Sequence, residues 1–175
     1  MENVDLRGIS VLIVDPNPLL RTVFRQVLRE LGATNVEAVT SPEAGFAAFN
    51  TINPDIVLAD WGPNCDGLGL LNRIRQDPAS ANCFAPVIIT SAYTGETDVV
   101  TARDGGMSEF LVKPVSARTL YKRIARIVCE SRPFIRADHF FGPDRRRRDV
   151  QPGHADRRNT VHMAKDVAMP SPAMA

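Results

Sequence analysis

The 175-residue sequence contains no run of eighteen apolar residues, so we expect no membrane span. Its first residues lack the basic and apolar segments of a secretory leader, and we therefore expect no signal peptide. Cysteine is also scarce. Cys65, Cys83 and Cys129 are odd in number and not closely paired, which favours reduced thiols and a cytoplasmic protein over a disulfide scaffold.

The charge is distributed unevenly along the chain, although the formal net charge is only +1. Residues 1–130 carry 12 Lys and Arg against 15 Asp and Glu, whereas residues 131–175 carry 9 against 5. Apolar residues make up 44% of the whole, which is enough for one packed core. The composition therefore predicts a mildly acidic domain followed by a basic extension.

Four apolar runs have the length and β-branched content of buried parallel strands, and each is followed by a polar side chain. They are Ile9–Val14 before Asp15, Ile56–Ala59 before Asp60, Val87–Thr90 before Ser91, and Phe110–Val112 before Lys113 and Pro114. Because the carboxyl ends of parallel strands meet at one edge of a sheet, we expect these polar groups to lie close together. Two carboxylates, a hydroxyl and an ammonium suit the transfer of a phosphoryl group to a carboxylate.

Amphipathic helical patterns separate the strands, and a further short strand is predicted over Val36–Val39. The helices are predicted from Asn17 to Gly32, over Ala44–Phe49, over Gly67–Arg75, over Thr97–Asp104, and after Ser116. Five strand–helix units with continuous apolar strands predict an α/β fold with a doubly wound five-stranded parallel sheet. We expect this domain to span residues 9–130.

The periodic pattern stops after Arg132 and Pro133. Residues 131–175 have no sustained apolar period, which predicts a basic and mostly disordered C-terminal extension. We therefore expect a chain that ends at Arg132 to remain folded.

The sequence resembles the receiver domain of bacterial response regulators, especially the single-domain chemotaxis type, from about Ile9 to Cys129. The motifs that carry this resemblance are Val14-Asp15, the segment from Pro54 to Trp61, Asp66-Gly67, Ile89 to Ala92, and Phe110 to Pro114. The resemblance implies a flavodoxin-like sheet with strand order 2-1-3-4-5, a cis peptide at Lys113-Pro114, and a role in phosphorelay signalling.

By this resemblance, Asp60 is the phosphoacceptor, and the donor is a phosphohistidine of a sensor histidine kinase or phosphotransfer protein. Asp15, Asp60 and the main-chain carbonyl of Gly62 would bind Mg²⁺. Ser91 would bond the phosphoryl oxygens, and Lys113 would pair with their charge.

The resemblance also implies that Phe110 is an aromatic switch that turns inward on activation, together with Ser91. The signal would pass to a downstream target protein through the face formed by the fourth helix, the fifth strand and the fifth helix, or through the extension. Such a protein is not a conventional enzyme, although it can assist its own phosphorylation and dephosphorylation.

Two departures from the family pattern affect the metal site. The acid that normally follows Asp15 is replaced by Pro16, and the loop from Asp60 to Asp66 is one residue short. Mg²⁺ favours carboxylate ligands in near-octahedral geometry, so we expect weak binding. A phosphorylation-independent pseudo-receiver that acts as a scaffold therefore remains an alternative.

The residues themselves leave simpler roles open. Asp60 could be a turn residue, Asp15 could cap the first helix, Lys113 could form a purely structural ion pair, and Phe110 could be plain core. Trp61 is expected at the rim of the site.

The extension contains four consecutive arginines, Arg145, Arg146, Arg147 and Arg148. Such a run can be a solvated charge cluster, or it can bind anions through bidentate guanidinium contacts. Phe140 and Phe141 lie just before it and favour docking. A cyclic dinucleotide or a nucleic acid is the ligand class that this pattern suggests by analogy.

Overall fold

The structure is a computed structural model, which describes residues 4, 6–93, 95–130, 132–137, 140–144 and 159–162. Within these residues strands and helices follow one another in the order β1 (Ser10–Val14), α1 (Pro18–Glu30), β2 (Asn35–Val39), α2 (Pro42–Ile52), β3 (Ile56–Gly62), β4 (Cys65–Asp66), α3 (Gly67–Gln76), β5 (Val87–Ser91), α4 (Glu96–Asp104), β6 (Glu109–Val112), α5 (Ala117–Cys129), β7 (Phe134–Ala137), β8 (Phe140–Pro143) and β9 (Asn159–His162).

The main sheet has the order β2-β1-β3-β5-β6, and these five strands are parallel. This is the predicted order, since β5 and β6 are the fourth and fifth strands of the sequence pattern. The two-residue strand β4 is an addition that pairs antiparallel with the end of β3. The α/β class and the doubly wound topology are confirmed.

Apolar side chains form a separate core on each face of the sheet. One face packs against α1 and α5 through Phe24, Leu28, Leu120, Ile124 and Val128. The other packs against α2, α3 and α4 through Phe46, Phe49, Leu70, Leu71, Ile74 and Ala102. Both faces of the strands are buried, which explains why the sequence shows continuous apolar runs rather than alternation.

Helix caps fix the loops that leave the carboxyl ends of the strands. The Asn17 side chain accepts the Leu19 amide at 2.9 Å, and the Ser116 hydroxyl accepts the Thr119 amide at 3.1 Å. Both caps were expected from the sequence, because Asn and Ser satisfy the free amides of a first helical turn. They hold the chain directly after β1 and after β6, where Asp15 and Lys113 lie.

The third strand is longer than the sequence predicts. Its apolar run ends at Ala59, but β3 continues through Asp60 to Gly62 because its last residues pair with β4. Asp60 therefore belongs to the strand rather than to the loop after it, and its Cα is in register with Thr90 of β5.

Part of the extension predicted to be mostly disordered has regular structure. Residues 134–137 and 140–143 form the antiparallel pair β7–β8, and β9 pairs with the other edge of β7. The physical reason is apolar packing that a periodic pattern of only four residues cannot reveal: Phe134 is 3% exposed and Ile135 is 9% exposed.

The β7–β8 hairpin packs on the end of the main sheet opposite the carboxyl ends of its strands. The rings of Phe134 and Phe141 lie 5.3 and 5.5 Å from that of Phe84, which precedes β5. The Phe134 ring also lies 5.1 Å from the guanidinium carbon of Arg75 at the end of α3. The hairpin is therefore part of the packed structure.

Arg75 is almost fully buried beneath this hairpin. Its guanidinium donates to the carbonyl groups of Gly106 (3.0 and 3.1 Å), Ala85 (2.8 Å) and Cys83 (2.9 Å). Burial lowers the pKa of Arg75 to about 9. The four hydrogen bonds offset much of the cost of burying this charge, and they tie α3 to the loops before β5 and β6.

Cys65, Cys83 and Cys129 are free thiols. In the part of the chain that the structure describes, no helix is long and apolar enough to cross a membrane.

Shortening the chain to residues 1–132 is expected to lower its free energy of unfolding by about 3 kcal/mol, the usual cost of losing a buried aromatic side chain. The cause is the loss of Phe134 and Phe141 from the cluster with Phe84. Urea unfolding followed by circular dichroism measures the change. A chain ending at Asp144, which keeps β7 and β8, is the matched control. Equal stability of the 1–132 and full-length proteins would contradict the packing role of the hairpin.

Candidate functional site

The ammonium group of Lys113 joins the two carboxylates at the carboxyl edge of the sheet. Its Nζ lies 2.9 Å from Oδ2 of Asp15 and 2.6 Å from Oδ1 of Asp60. Asp15 is 1% exposed and Asp60 is 8% exposed, so water screens the contacts only weakly. The strand ends therefore bring together the three charged residues that the sequence predicts.

Asp15 is held by the turn between β1 and α1. Its Oδ1 accepts the main-chain amide of Asn17 at 2.8 Å, and its carbonyl accepts a guanidinium hydrogen of Arg21 at 2.7 Å. Asn17, rather than Asp15, caps α1. The Asp15 carboxylate is thus fixed on one side by the turn and on the other by Lys113.

The chain after Asp60 turns back sharply. Residues Pro63 and Asn64 join β3 to β4, and a Cβ atom placed on Gly67 would collide with the main-chain carbonyl of Asp60. Only glycine fits this close approach. Asp66 caps α3 by accepting the amide of Gly69 at 2.9 Å, as expected for a turn residue.

Ser91 lies at the predicted strand end but is fully buried. Its hydroxyl donates to the carbonyl of Trp61 at 2.7 Å and accepts the amide of Tyr93 at 2.9 Å. Both contacts hold the start of the loop that leads to α4. The hydroxyl must leave Trp61 before it can donate to a phosphoryl oxygen.

Phe110 is half-buried and packs against the core on the α2–α3–α4 face. Three residues later, the amide of Lys113 donates to the carbonyl of Ser91 at 2.8 Å, which sets the direction of the lysine side chain. The Lys113-Pro114 peptide bond is cis, as the family resemblance implies.

A cleft of about 220 Å³ opens over the two carboxylates. It is lined by Asp15, Pro16, Asn17, Leu20, Asp60, Trp61, Gly62, Pro63, Asn64, Ala92, Tyr93 and Lys113. The rings of Trp61 and Tyr93 meet edge to face at the rim, with centroids 5.4 Å apart. The cleft is therefore charged at its base and largely apolar at its mouth.

The pKa values of the site reflect one ammonium shared between two carboxylates. Burial raises the pKa of Asp60 above its ordinary value, and the contact with Lys113 only partly opposes this. Burial alone would lower the pKa of Lys113, but its bonds to Asp15 and Asp60 outweigh that effect and raise it. Lys113 therefore stays charged at neutral pH.

Cys65 lies close to the site on β4. Burial, followed by the charges of Asp60 and Asp15, raises the pKa of its thiol to about 12. The thiol is thus protonated at neutral pH and serves as a small apolar side chain against the α2–α3–α4 core.

The donor set suits a divalent cation only in part. Among the described residues there is no group of three or more His, Cys, Asp or Glu side chains arranged to hold a metal. The cleft offers the carboxylates of Asp15 and Asp60, and Pro16 occupies the place of a third acid. Mg²⁺ accepts two carboxylates and completes its shell with waters, so the residues fit a weak site. Gly62 lines the same cleft, where its carbonyl was predicted as a further ligand.

Sequence reasoning missed two contributors to the site. The Asn17 amide orients Asp15, which requires the three-dimensional turn to be known. Tyr93 could have been suspected, since it follows the polar strand end at Ser91 by two residues. The predicted anion-binding residues, Arg145 to Arg148, lie outside the described residues.

A comparison with protein families gives one match to this sequence, over residues 11–125, and it is to the response regulator receiver domain. The chain belongs to this family. The matched segment contains Asp15, Asp60, Ser91 and Lys113. It ends within α5, so the β7–β8 hairpin lies outside it.

Relatives of the receiver support the same assignment. The chain is 28% identical over 119 residues to the chemotaxis protein CheY of Pseudomonas aeruginosa, covering 67% of this chain and 94% of that protein. It is 27% identical over 128 residues to CheY-3 of Vibrio cholerae, covering 73% and 97%. These are single-domain response regulators, and the homology is consistent with phosphorelay signalling.

Solved structures share the fold. Chemotaxis protein CheY4 of Vibrio cholerae, crystallized at pH 4.0, superposes with a TM-score of 0.61 at 22% identity, covering 68% of this chain and 98% of that one. A second structure of CheY4 gives the same values.

Asp60→Asn is expected to increase the free energy of unfolding at neutral pH, since an amide avoids burying a charge. The raised pKa means that folded wild-type protein binds a proton at Asp60 more tightly than the unfolded chain does. Protonation of Asp60 therefore stabilises the folded wild type as pH falls through this pKa. The difference in free energy of unfolding between Asp60→Asn and the wild type should shrink over the same pH range.

Urea unfolding at neutral and progressively acidic pH measures this difference. Glu96→Gln, which alters an exposed acid on α4, controls for the general effect of removing a negative charge. A difference in free energy of unfolding between Asp60→Asn and the wild type that does not change with pH would contradict burial as the cause of the raised Asp60 pKa.

Proposed function

We propose that the protein is a single-domain response regulator that accepts a phosphoryl group on Asp60. The donor is a phosphohistidine of a sensor histidine kinase or phosphotransfer protein, and the phosphorylated receiver signals by contact with a downstream target protein. The observation that supports this most strongly is the Lys113 ammonium, bonded to Asp15 and Asp60 at the base of an open cleft.

The transfer joins a carboxylate oxygen of Asp60 to phosphorus while the bond from phosphorus to the donor imidazole nitrogen breaks. Both the carboxylate and the phosphoryl group are negative, so the reaction depends on nearby positive charge and on positioning. Lys113 supplies that charge. Hydrolysis of the aspartyl phosphate by water then returns the carboxylate and inorganic phosphate.

Asp15 and Asp60 would hold Mg²⁺ together with the carbonyl of Gly62, and the ion would neutralise charge on the transferred oxygens. Ser91 would exchange its bond to the Trp61 carbonyl for a bond to a phosphoryl oxygen. Phe110 is half-buried against the α2–α3–α4 core, and the switch hypothesis requires its ring to pack more deeply.

In this proposal the protein is a phosphoryl acceptor, and any catalysis concerns only its own phosphorylation and dephosphorylation. The groups available for it are Asp60, Lys113 and Ser91. A cytoplasmic location, where the donor proteins and reduced thiols are found, stays a prediction.

A pseudo-receiver that works as a scaffold is the second candidate. Pro16 favours it, because the site has one carboxylate fewer than the family pattern. The bonds that engage Asp15, Asp60, Lys113 and Ser91 with one another and with the main chain are also compatible with a purely structural role. Phosphoryl labelling separates the two candidates.

Binding of a cyclic dinucleotide or nucleic acid through Arg145, Arg146, Arg147 and Arg148 stays a prediction of the sequence. The described residue that favours it is Arg136 on β7, whose guanidinium lies 4.5 Å from the centre of the Phe141 ring. The support that this pair gives is limited to placing an arginine on an aromatic ring, a combination that anion- and base-binding surfaces use.

Asp60→Asn is expected to abolish labelling by acetyl phosphate in the presence of Mg²⁺, because an amide cannot form the acyl phosphate. Intact-protein mass spectrometry detects the added phosphoryl group. Asp66→Asn, which changes the exposed acid that caps α3, is the matched control and should label like the wild type. A labelled Asp60→Asn protein would refute the assignment, and an unlabelled wild type would favour the scaffold.

Pro16→Asp is expected to tighten Mg²⁺ binding about tenfold or more, since it adds a carboxylate beside Asp15 in the cleft. Quenching of Trp61 fluorescence or calorimetry measures the affinity. Pro16→Asn removes the same proline and adds a side chain of nearly the same shape without charge, so it isolates the effect of the carboxylate. Equal affinity of both variants would contradict the view that the missing acid weakens the site.

A further inference from the structure

The helix α4 is held weakly by the rest of the fold. Ala102 is its only buried residue, and its N-cap, Gly95, supplies no side-chain hydrogen bond. Four of its nine residues, Thr97, Val99, Val100 and Thr101, are β-branched, which lowers helix propensity. A helix with so few buried contacts opens at low free-energy cost unless its ends are held.

The end of α4 that leads to β6 is held by the β7–β8 hairpin through contact between two glycines. A Cβ atom on Gly142 would lie 2.6 Å from the Cα of Gly106, and one on Gly106 would collide with the Phe141 carbonyl. The two backbones therefore touch, directly after the last turn of α4. Gly106 also has a φ of +88°, a conformation that glycine adopts without strain.

The same turn is held from inside the domain. The carbonyl of Gly106 accepts two hydrogen bonds from the buried guanidinium of Arg75, at 3.0 and 3.1 Å. The Phe134 ring of the hairpin covers that guanidinium at 5.1 Å. Gly106 is therefore fixed between Arg75 on one side and β8 on the other.

A third contact fixes the start of the hairpin. The carboxylate of Glu109, the first residue of β6, is 4% exposed and accepts Arg132 at 3.2 Å and Arg123 at 2.9 Å. Arg132 lies two residues before β7, and the Asp144 amide donates to the Pro133 carbonyl at 2.8 Å to close the base of the hairpin. Hairpin and α4–β6 turn thus form one connected set of contacts.

The other end of α4 is connected to the phosphoacceptor site. The Tyr93 amide, in the loop between β5 and α4, donates to the Ser91 hydroxyl. When that hydroxyl turns towards a phosphoryl group it gives up its bond to the Trp61 carbonyl, and the Tyr93 amide loses a well-placed acceptor. The start of the loop into α4 is then free to move.

We propose that the β7–β8 hairpin is a brace that holds the C-terminal end of α4 and thereby restrains phosphorylation of Asp60. This regulatory role rests on the proposed function. The loop before α4 is bonded to Ser91 through the Tyr93 amide, and the turn after α4 touches the hairpin at Gly106. The hairpin contact therefore opposes a movement of α4 that begins with a change at Ser91. Linkage makes the equilibrium effect reciprocal: phosphorylation weakens docking of the hairpin, and a ligand that tightens docking disfavours the phosphorylated state.

Gly142→Ala tests the brace in the full-length protein. The added methyl group separates the hairpin from Gly106, and the Gly142 backbone is not in the left-handed region, so alanine causes no strain of its own. Hydrogen exchange read by mass spectrometry should show that exchange of residues 97–108 accelerates about tenfold more than exchange of α1. The ratio of labelled to unlabelled Asp60 at a fixed concentration of acetyl phosphate should rise about fivefold, within the usual range of coupling between sites.

Lys122→Ala is the control, since it shortens an exposed basic side chain on α5. Its amide hydrogens should exchange, and its Asp60 should be labelled by acetyl phosphate, as in the wild type. Phe141→Ala is the second variant, because it weakens docking by removing a ring rather than by inserting an atom. It should reproduce the faster exchange of residues 97–108.

Unchanged exchange of α4 in a variant whose hairpin amides exchange faster would overturn the proposal. Acceleration of α4 that is no greater than that of α1 and α5 in both variants would overturn it as well, because the hairpin would then affect α4 only through the stability of the whole domain. An unlabelled wild type would refute the proposed function instead, and the exchange pattern would still decide whether the hairpin holds α4.

Discussion

The ammonium group of Lys113 is the contact on which the proposed phosphoacceptor site depends. Among the described residues it is the one cation within bonding distance of both Asp15 and Asp60, and burial strengthens each attraction. Two carboxylates at this distance would repel each other without it. Burial raises the pKa of Asp60 against the opposing effect of Lys113, whereas the bonds to Asp15 and Asp60 raise the pKa of Lys113.

This arrangement also explains how Pro16 can be accommodated. A third acid would add negative charge that Lys113 alone could not balance, and a metal ion would then be needed at rest. With Pro16 the resting site carries two carboxylates and one ammonium, and its excess charge is smaller. The substitution therefore favours a site that is stable without metal and binds Mg²⁺ weakly.

The sequence predicts most of the sheet and the charged part of the site because both follow from strand periodicity and strand ends. Ile56–Ala59 and Val87–Thr90 identify the central strands, and the parallel topology then places Asp60 beside Lys113. The hydrogen bond from Ser91 to the Trp61 carbonyl could not be predicted, since it depends on a rotamer. The hairpin could not be predicted either, because Phe134 and Phe141 show their role only through contact with Phe84.

The extension acts at the edge of the sheet that is remote from the chemistry. The family match ends at residue 125, so the chain adds β7 and β8 beyond the shared receiver. Packing at the opposite edge leaves the cleft over Asp60 open to a donor protein. We propose that the extension still influences that cleft through α4, which runs between the two edges of the sheet and buries only Ala102 among its nine residues. In the proposed brace, a contact at Gly106 alters the cost of moving Ser91 without occupying the cleft, so regulation and docking of a phosphodonor would use separate surfaces.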